Sequence, residues 1–235
     1  MKKRSKMVHN TRGFTIVELM VTLLIVGVIT AAMYAAFTTQ LKSYTAQDQV
    51  TEMQQNIRAA MSLMTKEIRM AGFDPNAIGD ADITTATATS LIFTMVADDD
   101  GIDNDNADGD NDTSTGADET DELKTVAYDL YDAYGDGGTD IGRQVDGVKS
   151  AAAENIDRLE FYYTLKNDTK TLTPGNPSDI RSIQLSILAR ADVSDPNFTH
   201  TESFTTVAGT NWSAFNDHFR RRFMTATIQC RNMGL

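Results

Sequence analysis

Residues Phe14–Phe37 read FTIVELMVTLLIVGVITAAMYAAF, and the rest of the chain takes its meaning from that stretch. At 1.5 Å per residue, a helix of these 24 residues crosses a hydrocarbon core of roughly 30 Å with some tilt to spare. One residue in it is charged: Glu18, close to the N-terminal end. A carboxylate at bilayer depth is costly unless it is protonated or paired, so Glu18 asks for a partner.

Ahead of it, MKKRSKMVHNTRG carries Lys2, Lys3, Arg4, Lys6 and Arg12 and no acid, the mark of a cytoplasmic flank. The apolar run is much longer than the h-region of a secretory signal peptide. A plain uncleaved signal anchor fits the length but leaves Glu18 without a role.

Taken together, the basic leader, the sequence Gly13-Phe14-Thr15-Ile16-Val17-Glu18 and the unbroken apolar run resemble the processing site of type IV prepilins and of the related pseudopilins of type II secretion. The resemblance implies that a membrane prepilin peptidase cuts between Gly13 and Phe14 and methylates the new amine on Phe14. It makes Glu18 the fifth residue of the mature chain. The cationic amine of Phe14 and Glu18 of a neighbouring subunit would then neutralise each other as subunits stack. In a low-dielectric medium such a pair sets register, because a mismatch strands a charge.

The helical pattern continues past the apolar run. Val50, Met53, Ile57, Met61, Met64 and Ile68 recur at steps of three and four among polar residues, one apolar stripe on a polar helix. Gly72 and Pro75 supply the stop. The stripe is short and rich in Met, which suits packing on a sheet better than a coiled coil. Beyond it, residues 89–97 and 123–130 are β-prone. Leu159, Phe161, Tyr163 and Leu165, then Ile183, Leu185, Ile187 and Ala189, then Met224, Ala226, Ile228 and Cys230 alternate with polar residues, as antiparallel strands with one buried face do. Ser150–Glu154, rich in Ala, reads as a short helical turn, and Thr173–Ser178 as a loop.

The segments Gln54–Pro75, Ile156–Tyr163, Ile183–Arg190 and Arg222–Asn232 resemble the PilW-type minor pilins, low-abundance components thought to start or cap assembly of the fibre. The expected fold is therefore α+β and type IV pilin-like, a long N-terminal helix on an antiparallel β-sheet head. Its divisions are a cleaved leader (1–13), a transmembrane or fibre-core helix (14–37), an amphipathic continuation (38–71) and a head (72–235) with an insertion at 98–122. Ala35 stands where many major pilins have a helix proline, and the paired C-terminal cysteines of many major pilins are missing. Both departures favour a minor pilin. The implied partners are the prepilin peptidase, the major pilin, other minor pilins and the inner-membrane pilus assembly machinery. The implied location is a single pass through the inner membrane with the head in the periplasm, then outside the cell in the pilus. A minor pseudopilin of type II secretion, and a membrane-anchored calcium-binding or adhesive module, are the alternative readings.

The insertion, Asp98–Glu122, carries twelve acids and no base. The whole chain of 235 residues has a net charge of -12, so the remainder sums to zero. Losing the five leader cations takes -12 to -17. Such acidity gives no footing for nucleic acid, which needs a basic patch; Arg220–Arg222 reads as a solvated rim. Alternating Asp and Asn with Gly suits an oxygen-rich Ca²⁺ loop built from Asp103, Asp105, Asp108, Asp110 and Asp112. The best EF-hand alignment begins with Asn104 and puts Thr115 where a bidentate Glu belongs, so it is not an EF-hand. A solvated insertion between two strands is the competing reading. Asp129, Asp132, Asp136 and Asp140 around Gly135 could hold another ion and read more simply as a turn after the second strand.

The single Cys230 rules out an internal disulfide and reads as a small buried hydrophobe. His9, His200 and His218 are the only histidines, and no nucleophile elbow, zinc motif or phosphate loop is present. The chain reads as an enzyme's substrate, not as an enzyme.

Overall fold

The structure, a computed structural model, describes residues 13–74, 81–96 and 123–233. The chain forms two compact units, Met1–Asp48 and Gln49–Leu235. Helix α1 (Ile16–Met70) begins in the first and ends in the second.

In the first unit the described chain is helical from Ile16 on, and its apolar side chains are bare: Ile16 is 80 % and Leu23 70 % exposed. The hydroxyls of Thr22, Thr30, Thr38 and Thr39 bond back to carbonyls of the preceding turn, as Thr30 does to Val26 at 2.8 Å. They are thereby satisfied without water, as an apolar surround requires.

In the second unit, Met53, Ile57, Ala60, Met61, Met64 and Ile68 of α1 are buried. This is the expected stripe, with Ala60 added and Val50 only half-buried. The helix stops where Gly72 turns to φ +73°, its N–H donating to Thr94. A Cβ at Gly72 would come within 2.8 Å of Met233 Sδ, so the position needs glycine for both backbone and space.

Strands β1 (Ile83–Ala86), β2 (Leu91–Val96), β3 (Leu123–Tyr131), β4 (Asp140–Val145) and β5 (Val148–Ala153) form a five-stranded antiparallel sheet in chain order. A second antiparallel sheet takes β6 (Ile156–Leu165), β7 (Lys170–Thr171), β8 (Ile180–Arg190) and β11 (Arg221–Gln229) in the order β11-β8-β6-β7. Between β8 and β11, β9 (Phe204–Thr205) and β10 (Asn211–Trp212) make a small ribbon. The Phe161 N–H donates to Ala88 at 2.8 Å and the Tyr163 hydroxyl to Thr87 at 2.7 Å, joining the sheets. Both sheets and the helix stripe share one core.

The Ala-rich Ser150–Glu154 is not a helical turn. It falls largely in β5, paired with β4 through a hairpin at Asp146-Gly147, where φ is 48° and 87°. An Asp-Gly turn with two positive φ values imposes strand pairing whatever the helix propensity of the alanines that follow. Residues 173–178 are irregular, ending in a 3-10 turn over Pro177–Asp179.

Candidate functional site

The site sequence reasoning singles out is the junction at Gly13. Gly13, Phe14 and Thr15 precede the first turn of α1, outside the helix and exposed. The peptide bond between Gly13 and Phe14 therefore lies outside the hydrogen-bonded turns of α1. Among the described residues nothing approaches within 4 Å of where a Cβ on Gly13 would sit.

Glu18 has a role the sequence reading missed. Its Oε2 accepts from the Thr15 N–H at 3.0 Å and from the Thr15 hydroxyl at 2.8 Å, while the Glu18 N–H donates to Thr15 Oγ1 at 3.2 Å. This is a capping box, T-x-x-E, satisfying donors that the first helical turn leaves open. The signal was legible as Thr15 three residues before Glu18. The box holds the carboxylate at the residue adjoining Phe14, where cleavage would place an amine.

In the second unit α1 carries a buried acid, Glu67, 8 % exposed. Arg143 Nε donates to both its oxygens at 3.0 Å, Arg143 also bonds through a second nitrogen, and the Tyr128 hydroxyl donates to Oε2. Burial, then the neighbouring carboxylate, push the Tyr128 phenol well above its ordinary range. Glu67 therefore ties α1 to β3 and β4 of the five-stranded sheet.

A second ion cluster closes the segment between β8 and β11. Arg221, whose side chain is 2 % exposed, bonds Asp217 through both terminal nitrogens and Asp157 through Nε, and lies 3.7 Å from the ring centre of Phe215. The Arg221 guanidinium holds the Asp217 carboxyl down to about 2. Of the expected basic rim, then, Arg221 is buried and paired, and Arg220 pairs with Asp195 at 2.8 Å. The fold spends both on structure.

Asp103, Asp105, Asp108, Asp110 and Asp112, the candidate Ca²⁺ ligands, lie outside the described residues. Around Gly135 the acids cap a turn: Asp132 accepts backbone N–H groups from Gly135 at 2.7 Å and Gly137 at 3.1 Å, and Asp140 accepts from Ala133 and Asn155. Those backbone donors hold the Asp132 carboxyl below its usual range. No group of three or more metal-binding side chains occurs among the described residues. Cys230 is buried and unpaired, its thiol pushed up to about 12 by burial.

The comparisons with known proteins agree with this arrangement. The profile of the prokaryotic N-terminal methylation motif matches residues 8–34, and that of type IV pilus-assembly protein W matches residues 112–232. Among solved structures, a type IV-like pilin from Thermus thermophilus superposes with a TM-score of 0.52 at 11 % identity, covering 77 % of this chain and 98 % of that one. At that identity the likeness speaks to fold alone, and the fold is type IV pilin-like. No curated protein sequence matches. An N-methylation motif at the head of a bare apolar helix, a pilin-like head and a profile match over more than half the residues agree on one assignment: the chain belongs to the type IV pilus-assembly protein W family.

Proposed function

We propose that this chain is made as a membrane-anchored prepilin, cut between Gly13 and Phe14 by the prepilin peptidase, and built into a type IV pilus as a minor subunit that helps start assembly. The observation that carries the reading is the conjunction at one end of α1. A scissile bond outside the helix adjoins a carboxylate already held at the helix start, followed by an apolar surface left bare. Such a surface is stable in lipid or against copies of itself, and exposed to water it would be an aggregation liability.

On this reading residues 1–13 are discarded, 14–37 lie first in the inner membrane and then in the fibre core, and 38–71 lead into a head that faces the periplasm. Glu18 meets the Phe14 amine of the next subunit, and the partners are the major pilin, other minor pilins and the inner-membrane assembly machinery. The chain acts as a structural part and performs no chemistry of its own.

The mass of the mature N-terminus tests the proposal. A chain beginning with N-methylated Phe14 is expected, recovered in sheared surface filaments; an intact Gly13–Phe14 bond in fibre-making cells would overturn it. The Ca²⁺ loop at Asp103–Asp112 rests on sequence and has its own test. Calorimetric titration of the detergent-solubilised chain with Ca²⁺ should show binding below millimolar, and heat-silent titration removes the site.

A further inference from the structure

The four-stranded sheet is not fully covered by the helix. On β8 the core-facing Leu185 and Ile187 are 0 % exposed, yet their partners across the ladder, Ala226 and Met224 on β11, are only half-buried. The sheet projects one strand past α1 and leaves a groove of about 770 Å³ between them. Its floor is apolar: Met61 and Met70 from the helix, Phe73 beyond it, and Met224. Its rim is basic: Arg58, Lys66, Arg69 and Arg231 are all exposed, and among the described residues no carboxylate lines it. In a chain with a net charge of -12 that local excess is against the trend.

The same groove runs beside an open strand edge. Among the described residues β11 pairs with β8 and with nothing on its other side. Ala191 N–H donates to Arg220 at 2.8 Å and Cys230 N–H to Arg181 at 3.0 Å, which fixes the even-numbered positions of β11 as those bonded to β8. In an antiparallel ladder the alternate residues turn their N–H and C=O groups the other way. Phe223, Thr225, Thr227 and Gln229 therefore present backbone donors and acceptors outward, and the last three are exposed. An open edge over Thr225–Gln229 is a template for another strand, and natural proteins normally blunt it.

We propose that β11 and this groove accept an extended, acidic segment of a neighbouring fibre subunit as an added strand, an inference that rests on the minor-pilin reading above. The added backbone bonds Thr225 and Thr227. Its alternate side chains lie over Met224 and Met61, and its carboxylates meet Arg58 and Lys66. Backbone pairing supplies affinity, and the alternate pockets supply selectivity. The methionine floor lets one groove fit several sequences.

The test places a photo-crosslinking benzoylphenylalanine at the exposed, groove-lining Ser62 of the full-length chain in fibre-making cells, and identifies the product by mass spectrometry. A link to an acidic stretch of another fibre subunit is expected. Thr225→Pro removes an outward N–H while keeping every bond to β8, a substitution edge strands tolerate. It should lower the yield at least tenfold, as should Arg58→Glu with Lys66→Glu on the helix flank. Accumulation of the processed chain at the wild-type level serves as the folding control. No product, a link only to a second copy or to residues 98–122 of this chain, or a yield that neither variant reduces would overturn the inference. The N-terminal mass from the same cells separates the two claims, since a processed chain without the product removes the groove's role and leaves the pilin reading standing.

Discussion

Glu18 is asked to do two things, to close the first helical turn and to neutralise an amine on the next subunit, and substitutions can separate them. Glu18→Gln keeps a capping-box partner for Thr15 but carries no charge. Thr15→Ala removes the cap, at about 1 kcal/mol, and leaves the charge. If charge pairing governs assembly, Thr15→Ala should be cleaved and incorporated into filaments, whereas Glu18→Gln should be cleaved yet left behind in the membrane. Quantitative blotting of sheared filaments decides between them. Glu67 makes a different demand. Glu67→Ala strands Arg143, and because Arg143 is 29 % exposed the cost should be at the low end for a buried pair, about 2–3 kcal/mol in a denaturant titration. Replacing all three partners, Glu67→Leu with Arg143→Met and Tyr128→Phe, should recover most of it, because no buried donor is then left without an acceptor. Asp217 titrates the fold. Its carboxyl sits at about 2 when folded and near 3.9 when unfolded. Its contribution is therefore present above about pH 4 and lost as pH falls toward 2. Acid unfolding of Asp217→Asn should show a shallower dependence across that window. Glu67 was not legible because Arg143 lies 76 residues away, beyond any local pattern. Its position between Met64 and Ile68 on the buried face was the available hint.

Glycines at two turns carry different burdens. At Gly147, φ is +87° and the space around a Cβ is open, so Gly147→Ala should cost about 1 kcal/mol through the backbone alone. At Gly72 the same strain is joined by the contact with Met233, so Gly72→Ala should lower the melting temperature further than Gly147→Ala does. Helix α1 was readable nearly end to end because its stripe, its apolar run and its stop are all local signals. The strands with clean alternation were readable for the same reason. β5 was not, since its alanines carry no alternation and its identity depends on the turn before it. The alternating runs also said that one face is buried without saying which strands share a sheet, because that choice is made by contacts such as Phe161 to Ala88, far apart in sequence.

Across the whole molecule, the net charge of -12 equals that of one segment, Asp98–Glu122. Val96 and Leu123 face each other at the end of the β2–β3 ladder, so a two-residue hairpin turn can join the strands in place of residues 97–122. Replacing them with Asn-Gly should leave the sheet intact and, by shortening a closed loop more than tenfold, raise stability by roughly 2 kcal/mol. Calorimetric melting of the two chains checks it, and the shortened chain should also be less soluble near neutrality with its acids gone. Cys230 matters beyond its own surroundings. It is the one thiol in the protein, sequestered and held at about 12, so maleimide dyes at neutral pH should ignore the native chain. A cysteine introduced at any exposed position then becomes a unique handle, and the copies of this subunit in a filament can be counted and located by single-molecule fluorescence without first removing a native residue.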